Sequence, residues 1–261
     1  MEEQVTELHD RKFGWKPQLP DHRDKHFLSL PDVLLPVGSL PASVDLRSGC
    51  PAPYDQGSLG SCTANAIGFA CEFGWMAQQK PNHFTPSRLF IYYNERYMEG
   101  TVSQDAGAII RDGVKSLQRW GFPPESSWPY RVAAFAQRPS ALAYATAAKQ
   151  IVKDYGYVNQ TADEMKTVLA AGHPIIIGFT VYSSFMSSAV AHTGIVPMPK
   201  PTESILGGHA VAIVGYDDAK QCWIVRNSWG SYWGDKGYFY MPYQFLTNPR
   251  LASDLWVIRT V

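Results

Sequence analysis

Gly172-His173-Pro174-Ile175-Ile176-Ile177-Gly178-Phe179 is where the chain changes its period. Before it, apolar residues recur at helical spacing; after it, β-branched and aromatic residues gather in short blocks. Upstream, residues 63–79 are rich in Ala, Phe, Trp and Met with few charges, which predicts a largely buried helix. Thr85-Pro86-Ser87-Arg88 opens a second helix with its proline inside the first turn. Residues 108–120 give a third, closed by Gly121 and Pro123-Pro124. Residues 161–170 give a fourth, with Asp163 and Glu164 early and Gly172 past its end. Downstream, residues 174–179, 209–215, 222–226, 237–241 and 255–261 read as strands. Helices first and strands second predict an α+β protein of two lobes, helical over about 55–165 and β-rich over about 170–250, with a cleft between them.

The 261 residues, 45% hydrophobic and 18% charged, suffice for a substantial core. Lys and Arg total 23 and so do Asp and Glu, so the chain lacks the basic footprint of nucleic-acid binding. No apolar run approaches the ~18 residues of a membrane span. The acidic start, Met1-Glu2-Glu3-Gln4-Val5-Thr6-Glu7, is the reverse of a secretory n-region and leaves the compartment open between exported and cytoplasmic. Cys50, Cys62, Cys71 and Cys222 form no Cys-x-x-Cys pair, which argues against a structural zinc and a disulfide scaffold. His22 and His26 have the i, i+4 spacing of a metal clamp, but Pro17, Pro20 and Pro31 around them predict a loop. Residues 1–39 as a whole read as an extended strap, and its Phe13, Trp15, Phe27 and Leu28 predict that it docks on the remainder.

Gln56-Gly57-Ser58-Leu59-Gly60-Ser61-Cys62-Thr63 places a cysteine where a Gly-rich loop meets a helix N-terminus. Unpaired N–H groups and the helix dipole there stabilise a thiolate, the form that acts as nucleophile; a buried cysteine serving as a small hydrophobe is the alternative. A base is offered by a hairpin. Residues 209–216 and 221–228 bracket Asp217-Asp218-Ala219-Lys220, and pairing Tyr216 with Gln221 sets His209 opposite Ser228, beside Asn227. An amide oxygen on one ring nitrogen orients an imidazole whose other nitrogen serves the thiol. Trp229 and Trp233 would shield that contact from water, unless they are ordinary core residues.

These segments together resemble the papain-like cysteine peptidases. Leu40-Pro41-Ala42-Ser43-Val44-Asp45-Leu46-Arg47 resembles the start of the mature enzyme, and Trp128-Pro129-Tyr130 the turn after the third helix. Gly208-His209-Ala210-Val211 is similar to the histidine strand; Asn227-Ser228-Trp229-Gly230, with Trp233-Gly234 and Gly237-Tyr238, is similar to the asparagine segment. His209 and Asn227 follow Cys62 at, and a little beyond, the ~130–150 residues usual in the family. The resemblance implies a papain-like two-lobe fold over residues 40–261, with an antiparallel β-barrel-like second lobe. It implies a cysteine endopeptidase with Cys62 as nucleophile, His209 as acid and base, Asn227 as its orienting partner, and Gln56 with the Cys62 N–H as oxyanion donors. It also implies a peptide or protein substrate, a monomer, and neither metal nor organic cofactor. Gly107, with Ala106 before it, aligns with the segment that binds an extended peptide; Ile109, Gly178, Ala210 and Gly208 would line the adjoining pocket and favour apolar residues. A catalytically silent peptide-binding relative, or an exopeptidase or acyl transferase on the same scaffold, are the competing readings.

Three features depart from the family. Thr63 replaces the aromatic residue after the nucleophile. Leu59 stands where a disulfide cysteine is usual. The leader, with Gly14-Trp15-Lys16-Pro17, resembles the short one of bacterial members rather than the long helical propeptide, and is expected to lie partly in the cleft and restrain activity.

Overall fold

Strands from both halves of the chain meet in one antiparallel sheet. The computed structural model describes residues 10–34, 36 and 38–260; the acidic start at Met1–Glu7 lies outside them. The strands are β1 (Ser43–Asp45), β2 (Asp154–Tyr157), β3 (Ile175–Tyr182), β4 (Ile205–Asp217), β5 (Cys222–Arg226), β6 (Tyr238–Pro242) and β7 (Ala252–Arg259). They lie in the order β2-β7-β3-β4-β5-β6, with β1 on β4 at Gly215–Asp217, where β3 has ended. The sheet is open, where a barrel-like lobe was expected. A second correction concerns β2, which falls inside the stretch assigned to the helical lobe. Its Gly156 meets the backbone of Phe27 too closely for any side chain. Asp154-Tyr155-Gly156-Tyr157 is too short for its alternation to stand out from flanking turns.

Helices α1 (Cys62–Ala77), α2 (Arg88–Glu99) and α3 (Ile110–Trp120) form the other lobe. Nearly all of α1 is buried, as its scarcity of charge predicts. Ser87, rather than a residue before it, caps α2 by accepting from the Phe90 N–H at 3.2 Å. Gly121, at φ 73°, ends α3. Four shorter helices follow: α4 (Ala141–Ala147), α5 (Ala162–Ala170), α6 (Ser188–Thr193) and α7 (Tyr243–Leu246). One apolar core lies between the sheet and α5, around Phe179, Trp223 and Phe239. A second lies between α1, α2 and α3 and the sheet's other face, and takes in Trp256, Ala210 and Trp15 of the strap. The line along which the lobes meet therefore brings α1's first turn against β4.

The strap's second half is part of the structure. Phe27 is fully buried, the Tyr157 N–H donates to the Lys25 carbonyl at 2.9 Å, and Arg111 pairs with Asp24 at 2.6 Å. His26 pairs with Glu164 at 2.6 Å, so its imidazole serves a structural contact. All four cysteines are free.

Candidate active site

Cys62 is the first residue of α1, and its thiol is wholly buried. Burial pushes it up to about 11, against the N–H groups of Ala210, Gly14 and Thr63, which favour the thiolate. The expected fall in thiol pKa at a helix terminus is thus reversed here, because the terminus is covered. Thr63, in place of an aromatic residue, turns its Oγ1–H to Glu95 Oε2 at 2.9 Å inside the helical core.

His209 lies on β4, one residue from Ala210. Asn227 Oδ1 accepts from the Ser228 N–H at 2.9 Å, which fixes that atom as the amide oxygen, and it also accepts from His209 Nε2 at 2.8 Å. The ring proton is therefore on Nε2. His209 Nδ1 is left as a lone pair, buried with no hydrogen-bond partner among the described residues. Burial pulls the imidazole down to about 4, with the Arg11 guanidinium adding to the effect and Asn227 opposing it. Trp229 lies 5.1 Å from the imidazole, centroid to centroid, and Phe179 lies at 5.7 Å. Burial thus favours the neutral form of both groups.

The hairpin that carries His209 and Asn227 has a different register from the expected one. Asp217 pairs with Cys222 and Gly215 with Ile224, so the turn is residues 218–221, not 217–220. Asp217 Oδ1 accepts from the Ala219 and Lys220 N–H groups, and Gln221 takes φ 54°. A bulge at Val214 then shifts the ladder to Ala212–Arg226. The two errors left His209 and Asn227 adjacent.

Gln56 is fully buried. Its Oε1 accepts from Ser228 Oγ at 2.7 Å, and its own N–H donates to the Ser228 carbonyl at 2.9 Å. This clamp leaves Nε2 as the free end of the amide, donating to the Leu59 carbonyl at 2.8 Å and the Lys12 carbonyl at 3.1 Å. Ser228 was missed from the sequence except as a neighbour of Asn227; the only signal was its place in that segment.

Strap residues 11–18 run through the cleft. Lys12 pairs with Asp105 at 2.9 Å, Lys16 with Glu99 at 2.6 Å, and Arg11 with Asp55. The Ala108 N–H donates to the Gly14 carbonyl at 2.7 Å, and the Trp15 N–H to the Gly208 carbonyl at 2.9 Å. Gly14 abuts Gly60 and Gly107 so closely that a Cβ on it would lie 1.7 Å from the Gly60 oxygen. The Trp15 indole covers Gly178 and Gly208, where a Cβ would come within 2.0 and 2.6 Å of Trp15 atoms. Of the residues expected to bind substrate, Gly107, Gly178, Gly208 and Ala210 thus gather around residues 14 and 15. Ile109 caps α3 with its N–H on Glu99 at 2.7 Å, and Ala106 is half-buried just before Gly107.

The covered state has a pH dependence of determinate sign. Its imidazole is held below 6.5, so the neutral form stabilises it; that contribution is complete above about 6.5 and lost as pH falls toward about 4. Its thiol is held above 9, so the protonated form stabilises it, and that is lost as pH rises from about 9 to about 11. Amide exchange of residues 11–18, corrected for intrinsic rates, should therefore be slowest near neutrality and accelerate toward pH 4.5, while β3 and β4 stay protected. Equal strap protection at both pH values would contradict this.

A thiol at a helix N-terminus, an imidazole hydrogen-bonded to an amide oxygen and a clamped side-chain amide are the groups a papain-type cysteine hydrolase requires. The chain belongs to the papain family of cysteine proteases, whose family model matches residues 40–253. It is 40% identical to xylellain, a cysteine protease from Xylella fastidiosa; its crystal structure superposes over 97% of each chain with a TM-score of 0.89. It is also 40% identical to an uncharacterized peptidase C1-like protein of Acanthamoeba polyphaga mimivirus, over 98% of this chain and 89% of that one. A cathepsin B-like protein of Giardia intestinalis is 30% identical over 82% of this chain and 74% of its own length. The protein is a cysteine peptidase of papain-like fold, acting on peptides or proteins.

Proposed function

We propose that the chain is a monomeric endopeptidase whose residues 40–261 form the catalytic unit and whose residues 1–39 form a leader that blocks it. His209 Nδ1 takes the Cys62 proton and the sulfur attacks the scissile carbonyl carbon. The resulting oxyanion accepts from Gln56 Nε2 and the Cys62 N–H. The imidazolium then protonates the leaving amine, leaving a thioester on Cys62. Water, deprotonated by His209, attacks that thioester and regenerates the thiol with release of the acid. Asn227 keeps the ring in the tautomer this sequence needs. Gly107 and Gly208 offer backbone groups to an extended peptide, with Ala106, Ile109, Gly178 and Ala210 beside them.

The observation that carries the reading is the Lys12 carbonyl on Gln56 Nε2: a peptide oxygen of the strap occupies the donor that an oxyanion needs. An exopeptidase would need blocking loops at a cleft end, and residues 191–207, with Pro197, Pro199 and Pro201, are the insertion that could supply one; endopeptidase action is supported by residues 194–196 within it. They are pinned along β6 by hydrogen bonds of Tyr240 N–H to Gly194 and Val196 N–H to Tyr240. Incubation with a library of internally quenched peptides, followed by mass spectrometry of the protein after a peptidyl thiol-trapping group is added, tests this. Internal cleavage and a single adduct on Cys62, with Cys50, Cys71 and Cys222 unmodified, are expected. Tight peptide binding with neither cleavage nor adduct, after the strap is unseated, would return the chain to a silent binding role.

A further inference from the structure

The segment after α3, residues 122–130, lies against the loop that runs from Gln56 to Cys62. It is stapled to the start of α2. The Ser87 N–H donates to the Pro123 carbonyl at 2.8 Å, the Glu125 N–H to the Thr85 carbonyl at 2.8 Å, and Ser87 Oγ to the Trp128 carbonyl at 2.5 Å. The last residue of the segment, Tyr130, places one oxygen between the two ends of the loop: Oη lies 2.7 Å from the Gln56 carbonyl and 2.6 Å from Ser61 Oγ. A carbonyl only accepts, so the phenol proton goes to Gln56 and the Ser61 hydroxyl donates to Tyr130. Burial pushes the phenol up to about 12, so that proton stays in place across the neutral range.

Arg88, the first residue of α2, is buried and anchors the rest of the array. Its Nε and Nη2 form a fork on Glu125 at 2.9 and 2.7 Å. Its Nη1 donates to the Asp55 carbonyl and to Asn65 Oδ1, both at 3.1 Å. Asn65 Nδ2 in turn donates to the Ser61 carbonyl at 2.9 Å and to Ser61 Oγ at 3.1 Å. The guanidinium lies 4.3 Å over the Tyr130 ring and 4.8 Å over the Tyr54 ring. The hydrogen bonds thus run one way, from Arg88 through Asn65, Ser61 and Tyr130 to Gln56.

We propose that Tyr130 and Arg88 are positioning residues for the reaction: Tyr130 Oη fixes the spacing between the Gln56 amide and the Cys62 N–H, and Arg88 holds Tyr130 and Ser61 in place. The inference rests on the reading of those two groups as oxyanion donors. Gln56 is clamped to Ser228, whereas Cys62 belongs to α1, so a contact spanning the loop is needed to relate them. Of the five residues between them two are glycine, which leaves the backbone of the loop loose. Two donors serve one oxyanion only when both lie about 2.7–3.1 Å from it. A phenol oxygen touching Gln56 and the residue before Cys62 supplies that constraint.

The test uses the full-length chain carrying Gly14→Ala, which unseats the strap, with Tyr130→Phe, Arg88→Lys or Gln56→Ala added. Tyr130→Phe keeps the ring and removes only the bridging oxygen. Arg88→Lys keeps a charge against Glu125 but not the fork that also reaches Asp55 and Asn65. Each of these two should lower kcat about tenfold with KM unchanged, a smaller loss than in Gln56→Ala. Alkylation of Cys62 by iodoacetamide forms no oxyanion, so its rate should match that of the Gly14→Ala chain. With Tyr130→Phe and Gln56→Ala combined, the loss in kcat should fall short of the product of the single losses. An unmoved kcat in Tyr130→Phe or Arg88→Lys, where Gln56→Ala lowers it, overturns the proposal alone. Alkylation that falls in step with kcat also overturns it, since the substitutions then act on the nucleophile or the fold. An unmoved kcat in Gln56→Ala, or no cleavage by the Gly14→Ala chain, overturns the oxyanion reading and the proposal together. Should Tyr130→Phe fail to fold, Ser61→Ala removes the other half of the bridge and is held to the same outcomes.

Discussion

A full-length chain carrying Gly14→Ala should hydrolyse peptides at least about fivefold faster than the unaltered chain. The added Cβ has nowhere to go: the Gly60 oxygen would be 1.7 Å away and the Gly60 Cα 2.9 Å. Both are backbone atoms, so no side chain can swing aside, and the strap must lift instead. Overpacking of this kind costs roughly 1–3 kcal/mol, which spans about fivefold to a hundred-and-fiftyfold in the ratio of covered to open molecules. Trp15→Ala reaches the same end by another route, since burying 150–250 Å² of aromatic surface is worth about 4–6 kcal/mol at ~25 cal/mol per Å². Steady-state turnover of one fluorogenic peptide by the three chains decides the matter. If neither substitution raises turnover in a chain that still folds, the strap does not restrain the enzyme.

With the strap unseated, Gln56→Ala should lower kcat by about 10²–10³-fold and change KM little. That is the usual cost of removing a single oxyanion donor whose hydrogen bond strengthens only as charge develops. The clamp predicts a graded companion. Ser228→Ala leaves the amide in place but removes the Oγ–H on its Oε1, so its loss in kcat should be smaller than that of Gln56→Ala and in the same parameter. A rise in KM with kcat unchanged in Gln56→Ala would assign the amide to substrate binding instead. Measurement in the Gly14→Ala background is essential, because Gln56 Nε2 also holds Lys12 and its removal would loosen the strap.

The sequence carried the two lobes and the central constellation unevenly. Long α1 was legible because a helix buried on nearly every face must shed its charges, and β3 because Ile175, Ile176 and Ile177 are buried together. His209 and Asn227 were legible as neighbours because one short hairpin brings them together by local geometry, even with the register misjudged, and Cys62 was legible as the first residue of a helix. The misjudgement has a physical cause: an Asx turn at Asp217 and a bulge at Val214 each shift the ladder without altering composition. Ser228 and Asp254 were not legible. The first matters through one hydroxyl on one amide oxygen, and the second, which accepts from Trp15 Nε1 at 2.9 Å, through a bulge where β7 pairs with β3 that neither alternation nor propensity reveals. The reach of Trp15 into a pocket more than 230 residues away along the chain depends on tertiary placement alone. The thiol's raised pKa was invisible for the same reason, since it arises from a covering segment and not from the loop that bears it.

Phe27 gives the strap a fixed mooring, and this changes how its cleft-filling half should be regarded. Residues 11–18 are a ligand on a leash: the fully buried Phe27 ring and the Lys25–Tyr157 hydrogen bond hold one end, while Pro17 and Pro20 stiffen the span between. A short tether of this kind gives effective concentrations in the millimolar range. The plug therefore binds as though always present in excess, and contacts too weak to inhibit as a free peptide suffice. A competing substrate must reach that concentration or bind more tightly than the plug does. Cutting the chain between the plug and Phe27 would cancel the advantage at once, by dilution, without disturbing a single contact in the cleft.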